Sequence, residues 1–374
     1  MAFYLRIFIV TAALGVTLSC NKDNDASSSS TTSTTTSTSS SSDTNPDPID
    51  VTSCSSVTGI DKVICLADAF MAQLTATQIT TVQRSYTLTE AEKWSNLPQA
   101  LVSSSYKRIG LNFGSMTTIQ IQYAKALLKE VTGTTANEGW DELQQLLNAD
   151  EYLEANGGGS SYGAANYYIA FLGTPATTGT FEIQYGGHHT AFANTYKDGV
   201  LVSATPSFRG VEPFASFTWN GSSNQPIVQE KDALSAMLTG LSSSQLTTAK
   251  LSATYSDLVV GPQHDGEFPS TSSGLQCSNL STDQKALVLA AIETYVGDIA
   301  NADAIMALYT NELDNTYIAY SGTTGLTTRN DYVRIDGPSV WIEYSCQNGI
   351  VLSPTHPHSV WRDKLLDYGG NESN

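Results

Sequence analysis

Short phrases recur in the same order along this chain, and that recurrence limits the fold more than any other feature. Leu74-Thr75-Ala76-Thr77-Gln78 is echoed by Leu241-Ser242-Ser243-Ser244-Gln245. Gly110-Leu111 ahead of Met116-Thr117-Thr118-Ile119-Gln120 is echoed, at the same spacing, by Gly274-Leu275 ahead of Leu280-Ser281-Thr282-Asp283-Gln284. A Thr or Ser with Gln three residues on is capping-box chemistry, in which side chain and backbone satisfy each other at a helix start. Amphipathic helices are predicted behind the second pair, over 121–131 and 285–296.

The third echo is Tyr168-Ile169-Ala170-Phe171-Leu172-Gly173-Thr174 against Tyr317-Ile318-Ala319-Tyr320-Ser321-Gly322-Thr323. Aromatic and β-branched runs closed by Gly read as strands. Second strands are predicted at 181–185 and 332–335, and third strands at 189–196 and 340–346. Lys197-Asp198-Gly199 makes a hairpin turn into a strand over 200–204. Thr205-Pro206-Ser207-Phe208-Arg209-Gly210 reads as the turn that closes this first hairpin, with Arg209 near enough to reach a site.

Helices followed by strands, twice, imply an α+β fold. Two pseudo-repeated halves, about 50–210 and 230–365, are expected, each with helices followed by antiparallel strands. They would share one antiparallel sheet or two facing sheets, with helices outside. No long linker parts them, and 233–246 is already amphipathic, so one continuous globular domain over 47–370 is expected.

Residues 1–19 carry one positive charge, Arg6, then an apolar run too short to span a bilayer. This has the shape of a signal peptide. The ending Thr17-Leu18-Ser19-Cys20 resembles a bacterial lipobox, with Thr17 where Leu is usual. It implies cleavage before Cys20 and lipidation of that thiol, giving a membrane anchor at the outer membrane or cell surface. Residues 20–46 are mostly Ser and Thr, have no apolar period, and read as a flexible tether. The net charge of −18 repels phosphate backbones and excludes nucleic acid as a partner. Four cysteines remain after Cys20, and an even number in an exported chain favours disulfides. The expected pairs are Cys54 with Cys65 and Cys277 with Cys346.

The chain has only five histidines, and four stand in two clusters. His188 and His189 follow Gly186-Gly187; His356 and His358 flank Pro357. Residues i and i+2 of an extended segment share a face, and Pro357 keeps that segment extended, so His356 and His358 are shaped to ligate one ion. His188 and His189 would point to opposite faces of a regular strand. Either the glycines supply a bulge that re-aims one ring, or one histidine faces the site and the other is structural. Three or four imidazoles suit a divalent transition metal: zinc, copper or iron. The plainer alternative is that all four are hydrogen-bonded core or surface residues. His264 reads as a loop residue outside the site. Glu343, between Trp341 and Ser345, is a candidate ligand or general base. Arg362 and Asp363 are candidates for orienting a substrate or the ligands.

Tyr168-Ile169-Ala170-Phe171-Leu172-Gly173-Thr174-Pro175, Gly187-His188-His189, Asp336-Gly337-Pro338 with Trp341-Ile342-Glu343-Tyr344, and His356-Pro357-His358-Ser359-Val360-Trp361-Arg362-Asp363 with Asp367-Tyr368-Gly369 carry a family likeness. Together they resemble the bacterial and fungal family known as domain of unknown function 3500, over about residues 60–370. Pro357 stands where that pattern has an aliphatic residue. The resemblance brings no activity with it. No H-E-x-x-H, G-x-S-x-G, P-loop or dinucleotide glycine fingerprint is present. The expectation is an exported lipoprotein holding a metal between its halves. It would act as a metal-dependent hydrolytic or oxidative enzyme, or as a non-catalytic binder of a metal or small molecule. A structural or adhesive surface protein with incidental histidines is the third reading.

Overall fold

In a computed structural model of the chain, residues 43–103, 107–352 and 354–373 are described. The segment expected to be a signal peptide, 1–19, Cys20 and the expected tether up to residue 42 lie outside them. No helix among the described residues is long and apolar enough to cross a membrane.

The chain opens with α1 (Gly59–Met71), α2 (Ala76–Val82), the short strand β1 (Gln83–Arg84) and α3 (Leu88–Ala91). Next come β2 (Leu111–Asn112), α4 (Thr118–Val131) and α5 (Trp140–Leu153). Strands β3 (Tyr168–Leu172), β4 (Thr180–Gly186), β5 (Thr190–Lys197), β6 (Val200–Ser203) and β7 (Ser207–Gly210) follow. A small hairpin, β8 (Phe217–Trp219) and β9 (Ser222–Asn224), leads to α6 (Val228–Thr239) and α7 (Ser243–Ala249). Then come β10 (Leu275–Gln276), α8 (Thr282–Val296), α9 (Asp303–Glu312), β11 (Tyr317–Ser321), β12 (Tyr332–Asp336), β13 (Val340–Asn348) and β14 (Thr355–Asp363).

The recurring phrases are helix caps. Thr75 with Gln78, Thr117 with Gln120, Ser242 with Gln245 and Ser281 with Gln284 each form a reciprocal box at the start of α2, α4, α7 and α8. Each cap is worth about 1 kcal/mol. The caps also touch in pairs: Gln78 Nε2 donates to Gln120 Oε1 at 3.1 Å, and Gln245 Nε2 to Gln284 Oε1 at 3.0 Å. Because the caps set the starts, α4 and α8 begin at Thr118 and Thr282, three residues before the apolar period shows itself. Ser242 likewise divides the amphipathic stretch 233–246 between α6 and α7.

Gly110 and Gly274 take φ of +90° and +110°. A Cβ there would sit 2.1 Å from the Ile169 carbonyl and 2.3 Å from that of Ile318. Without side chains, the backbone closes in so that Leu111 pairs with Ile169 and Leu275 with Ile318.

One sheet of twelve strands holds the fold together, in the order β1-β3-β4-β5-β7-β14-β13-β12-β11-β10, with β2 also on β3 and β6 on β5. All its pairs are antiparallel except β1 with β3. The β5–β6 turn carries positive φ at Asp198 and Gly199, as the hairpin reading requires. One apolar core runs from Cys54 to Trp361 and joins α1, α4, α6 and α8 to one face of the sheet. The other face carries a smaller cluster, with Trp94, Phe208, Val360 and Tyr368.

Two expectations are corrected. Ser207–Gly210 is strand β7, not a turn; it lies mid-sheet, where Phe208 pairs with β14 Val360. Its polar residues disguised a strand whose two faces both meet buried polar groups. Cys54 and Cys65 form a disulfide, but Cys277 and Cys346 are free, buried thiols. Cys277 follows β10 and Cys346 lies on β13, with β11 and β12 between them. Three strand spacings, about 14 Å, exceed what a disulfide spans. Burial pushes both thiols up to about 12.

Candidate metal centre

The site forms where the β4–β5 hairpin turns beside β14. Gly186 ends β4, and the Gly187 amide donates to the Thr190 carbonyl at 2.8 Å, closing a tight turn over His188 and His189. His189 takes φ +65°, so β5 starts at Thr190 rather than at 189. In that turn the two imidazoles no longer alternate. They stack with centroids 3.5 Å apart. Tyr167 donates its hydroxyl to the His188 carbonyl and fixes the turn from below.

β14 is extended through Pro357, and His356 and His358 stand on one face with ring centroids 4.5 Å apart. His356 Nε2 lies 2.8 Å from His189 Nε2. The ligand nitrogens of His189, His356 and His358 all lie within 4.8 Å of one another, and all three residues are buried. Gly210 of β7 is the seat beneath them. Its amide donates to the His189 carbonyl at 2.7 Å, and a Cβ there would meet Cδ2 of both His189 and His358 at 2.9 Å.

The outer nitrogens of His356 and His358 are engaged. His356 Nδ1 donates to the Asn348 carbonyl at 3.2 Å, and His358 Nδ1 to Asp257 Oδ1 at 3.1 Å. Those bonds leave the Nε2 lone pairs for the centre, the usual way a ligating imidazole is oriented. Burial would raise the Asp257 carboxyl, but the hydrogen bond and charge of His358 outweigh it and hold it below its ordinary value. Burial, and then the neighbouring His188, His356 and His358, hold His189 well below the ordinary imidazole value. Burial and its histidine neighbours bring His356 down to about 3. Neutral imidazoles with converging lone pairs are what a transition-metal ion requires. Nitrogen donors of this kind suit zinc, copper or iron and not the oxygen-seeking magnesium or calcium.

His188, although stacked on His189, is not one of the three clustered ligand candidates. Its Nδ1 donates to Asp150 Oδ1 of α5 at 2.6 Å, and its ring meets Tyr162 edge-on at 4.8 Å. The trio and His188 line one cavity of about 420 Å³.

The three other candidates are not brought to that cavity. Glu343 is fully buried and accepts from Tyr332 at 2.6 Å, Trp341 Nε1 at 2.8 Å, and the Val259 and Val260 amides at 2.7 and 2.8 Å. It clamps the segment that carries Asp257 to His358. Arg362 lies four residues beyond His358 on the same face, where Asp367 and Asp265 each accept from it at 2.6 Å. Asp363 falls on the opposite face by strand alternation, accepting from Tyr309 at 2.8 Å and from the Leu365 and Leu366 amides. The expectation that His264 stands outside the site is corrected: it is exposed and paired with Glu267 at 2.7 Å, but it lines this same cavity. Arg209 also points away, to the helix side. There it donates to Glu142 at 2.8 Å and to Asp298, beside the buried Glu230.

Sequence reading missed Asp150, Asp257, Asn348 and Gly210. The first two meet their histidines across 38 and 101 residues, so no local spacing marks them.

Residues 56–370 match the family described as Protein of unknown function (DUF3500). The chain belongs to this family. The matched span of this DUF3500 protein holds all four clustered histidines and every partner named for them. No curated protein and no solved structure matches the chain.

Proposed function

We propose that this DUF3500 protein binds one divalent transition-metal ion through His189, His356 and His358, and uses it as a metal-dependent enzyme. The observation that carries this reading is the 2.8 Å approach of two buried imidazole nitrogens, with a third close by, on the wall of a cavity. Three protein nitrogens with one side open to a cavity is the catalytic arrangement rather than the closed structural one. The ion would act as a Lewis acid or redox centre in a hydrolytic or oxidative reaction. His188, with Nδ1–H given to Asp150, keeps its lone pair on Nε2 beside the trio, in position to take a proton from a bound molecule. Glu343, Arg362 and Asp363 serve in this reading by holding the walls.

A second reading, capture of a metal or small molecule without turnover, is favoured by the complete engagement of those three side chains. Calorimetric titration of chelator-stripped protein tests the common ground of both. One zinc or copper ion per chain is expected, with uptake lost in His356→Ala and in His358→Ala. Uptake unchanged in both variants contradicts it.

The reading includes export and anchoring through Cys20, supported by the N-terminal apolar run and the residues before Cys20. Metabolic labelling with palmitate, lost in Cys20→Ser, tests it. It also includes descent of the two halves from one repeat. Support comes from the four matched caps, the paired Gln contacts and the two close-packed glycines.

A further inference from the structure

The cavity over the imidazoles has a composition that restricts what can enter. Leu97, Pro98, Leu101, Leu258, Pro262 and Ile350 are among its walls. Two of them, Leu101 at 64% and Ile350 at 74% exposure, are among the few large apolar side chains left open to solvent among the described residues. Both stand at this one cavity, and apolar surface kept exposed at a pocket rim marks a binding site. Among the described residues no Lys or Arg lines it, and His264, which does, is paired with Glu267. The carboxylates that do are Asp257, on His358, and Glu212, which accepts from the Val351 and Leu352 amides. The chain itself carries −18. A phosphate or a second carboxylate in the outer cavity would find apolar walls and like charge, without a counter-ion. At about 420 Å³ the space holds a small organic molecule, not a polymer segment.

We infer that this site takes a small molecule with an uncharged, mainly apolar body, and presents one neutral oxygen or nitrogen of it to the imidazoles. The last clause rests on the metal reading; the first rests on the walls alone. The apolar body is seated by Leu101, Leu258 and Ile350, and its polar end faces His189, His356 and His358.

Fluorescence titration of the full chain, stripped of metal, tests this with Nile red as the neutral apolar probe. Anilinonaphthalene sulfonate is the anionic one. One saturable Nile red site is expected, with the sulfonate binding at least about tenfold more weakly. Leu101→Asp with Ile350→Asp, both at exposed positions that tolerate charge, should weaken Nile red about tenfold or more. Val200→Asp, an exposed apolar position elsewhere, should leave it unchanged. Nile red binding that ignores the Leu101 and Ile350 changes, or a sulfonate that binds more tightly than Nile red, overturns the inference. Metal uptake without a Nile red site also overturns it and leaves the metal reading intact. A Nile red site in a parent protein that takes up no metal supports the first clause of the inference and overturns the metal reading.

Discussion

His189 and His356 are 167 residues apart in the chain, and their Nε2 atoms lie 2.8 Å apart in the fold. Burial first, and then the neighbouring histidines, hold both imidazoles below the ordinary value. Two neutral rings so placed share one proton or one cation. The third ring, of His358, adds the further donor on which the proposed metal reading rests.

Gly210 should be the least replaceable residue that touches no ligand. Gly210→Ala places a methyl 2.9 Å from both His189 and His358. Moving the two rings costs on the order of 1–3 kcal/mol. Zinc affinity, read by competition with a chelating dye, should fall about tenfold to a hundredfold while the circular dichroism spectrum is kept.

Asp257→Asn should weaken the metal without removing it. It exchanges the acceptor for His358 Nδ1–H for a weaker one. Losing such an orienting carboxylate costs about tenfold to a hundredfold in metal affinity. Equal affinity in this variant and the parent would mean that Asp257 does not orient a metal ligand.

Glu182 gives a pH signature independent of the metal. Burial, with only Thr195 donating to it, raises its carboxyl to about 8. The folded state therefore keeps this proton up to about pH 8, whereas the unfolded state loses it near 4.5. Between those values the unfolded chain holds fewer protons, so stability falls as pH rises, by at most about 1.4 kcal/mol per pH unit. Glu182→Gln should flatten the urea midpoint across that window. An unchanged slope would contradict the assignment.

The Cys54–Cys65 link closes a loop of separation 11 at the start of the core. Cys65→Ser should lower stability by about 2–3 kcal/mol in urea titration. Cys277 and Cys346 should react with a thiol reagent only on unfolding, since both are buried. Oxidised mass with no reactive thiol after denaturation would restore the second pair.

Much of the fold was legible because it is written in local chemistry. The Thr/Ser…Gln phrases fix helix starts, and the Gly-ended aromatic runs fix β3 and β11. Strand β7 was not legible, because its Arg209 serves a buried acidic cluster on one face while Gly210 seats histidines on the other. At the site, the extended His356-Pro357-His358 face followed from strand alternation. The His188-His189 turn followed only in part. Gly187 allowed it, but the left-handed backbone falls on His189 itself. Glu343 looked chemical as a carboxylate in an aromatic strand and Arg362 as an Arg beside an Asp, yet each is spent on holding a loop.

The central claim is that His189, His356 and His358 hold one metal ion. X-ray absorption at the metal edge, on untagged protein purified without added metal and checked by elemental analysis, tests it most directly. About one zinc, copper or iron atom per chain is expected, with three imidazole nitrogens near 2.0–2.1 Å. Metal absent from the purified protein and not regained on soaking, or a first shell of oxygens without imidazole, would contradict it.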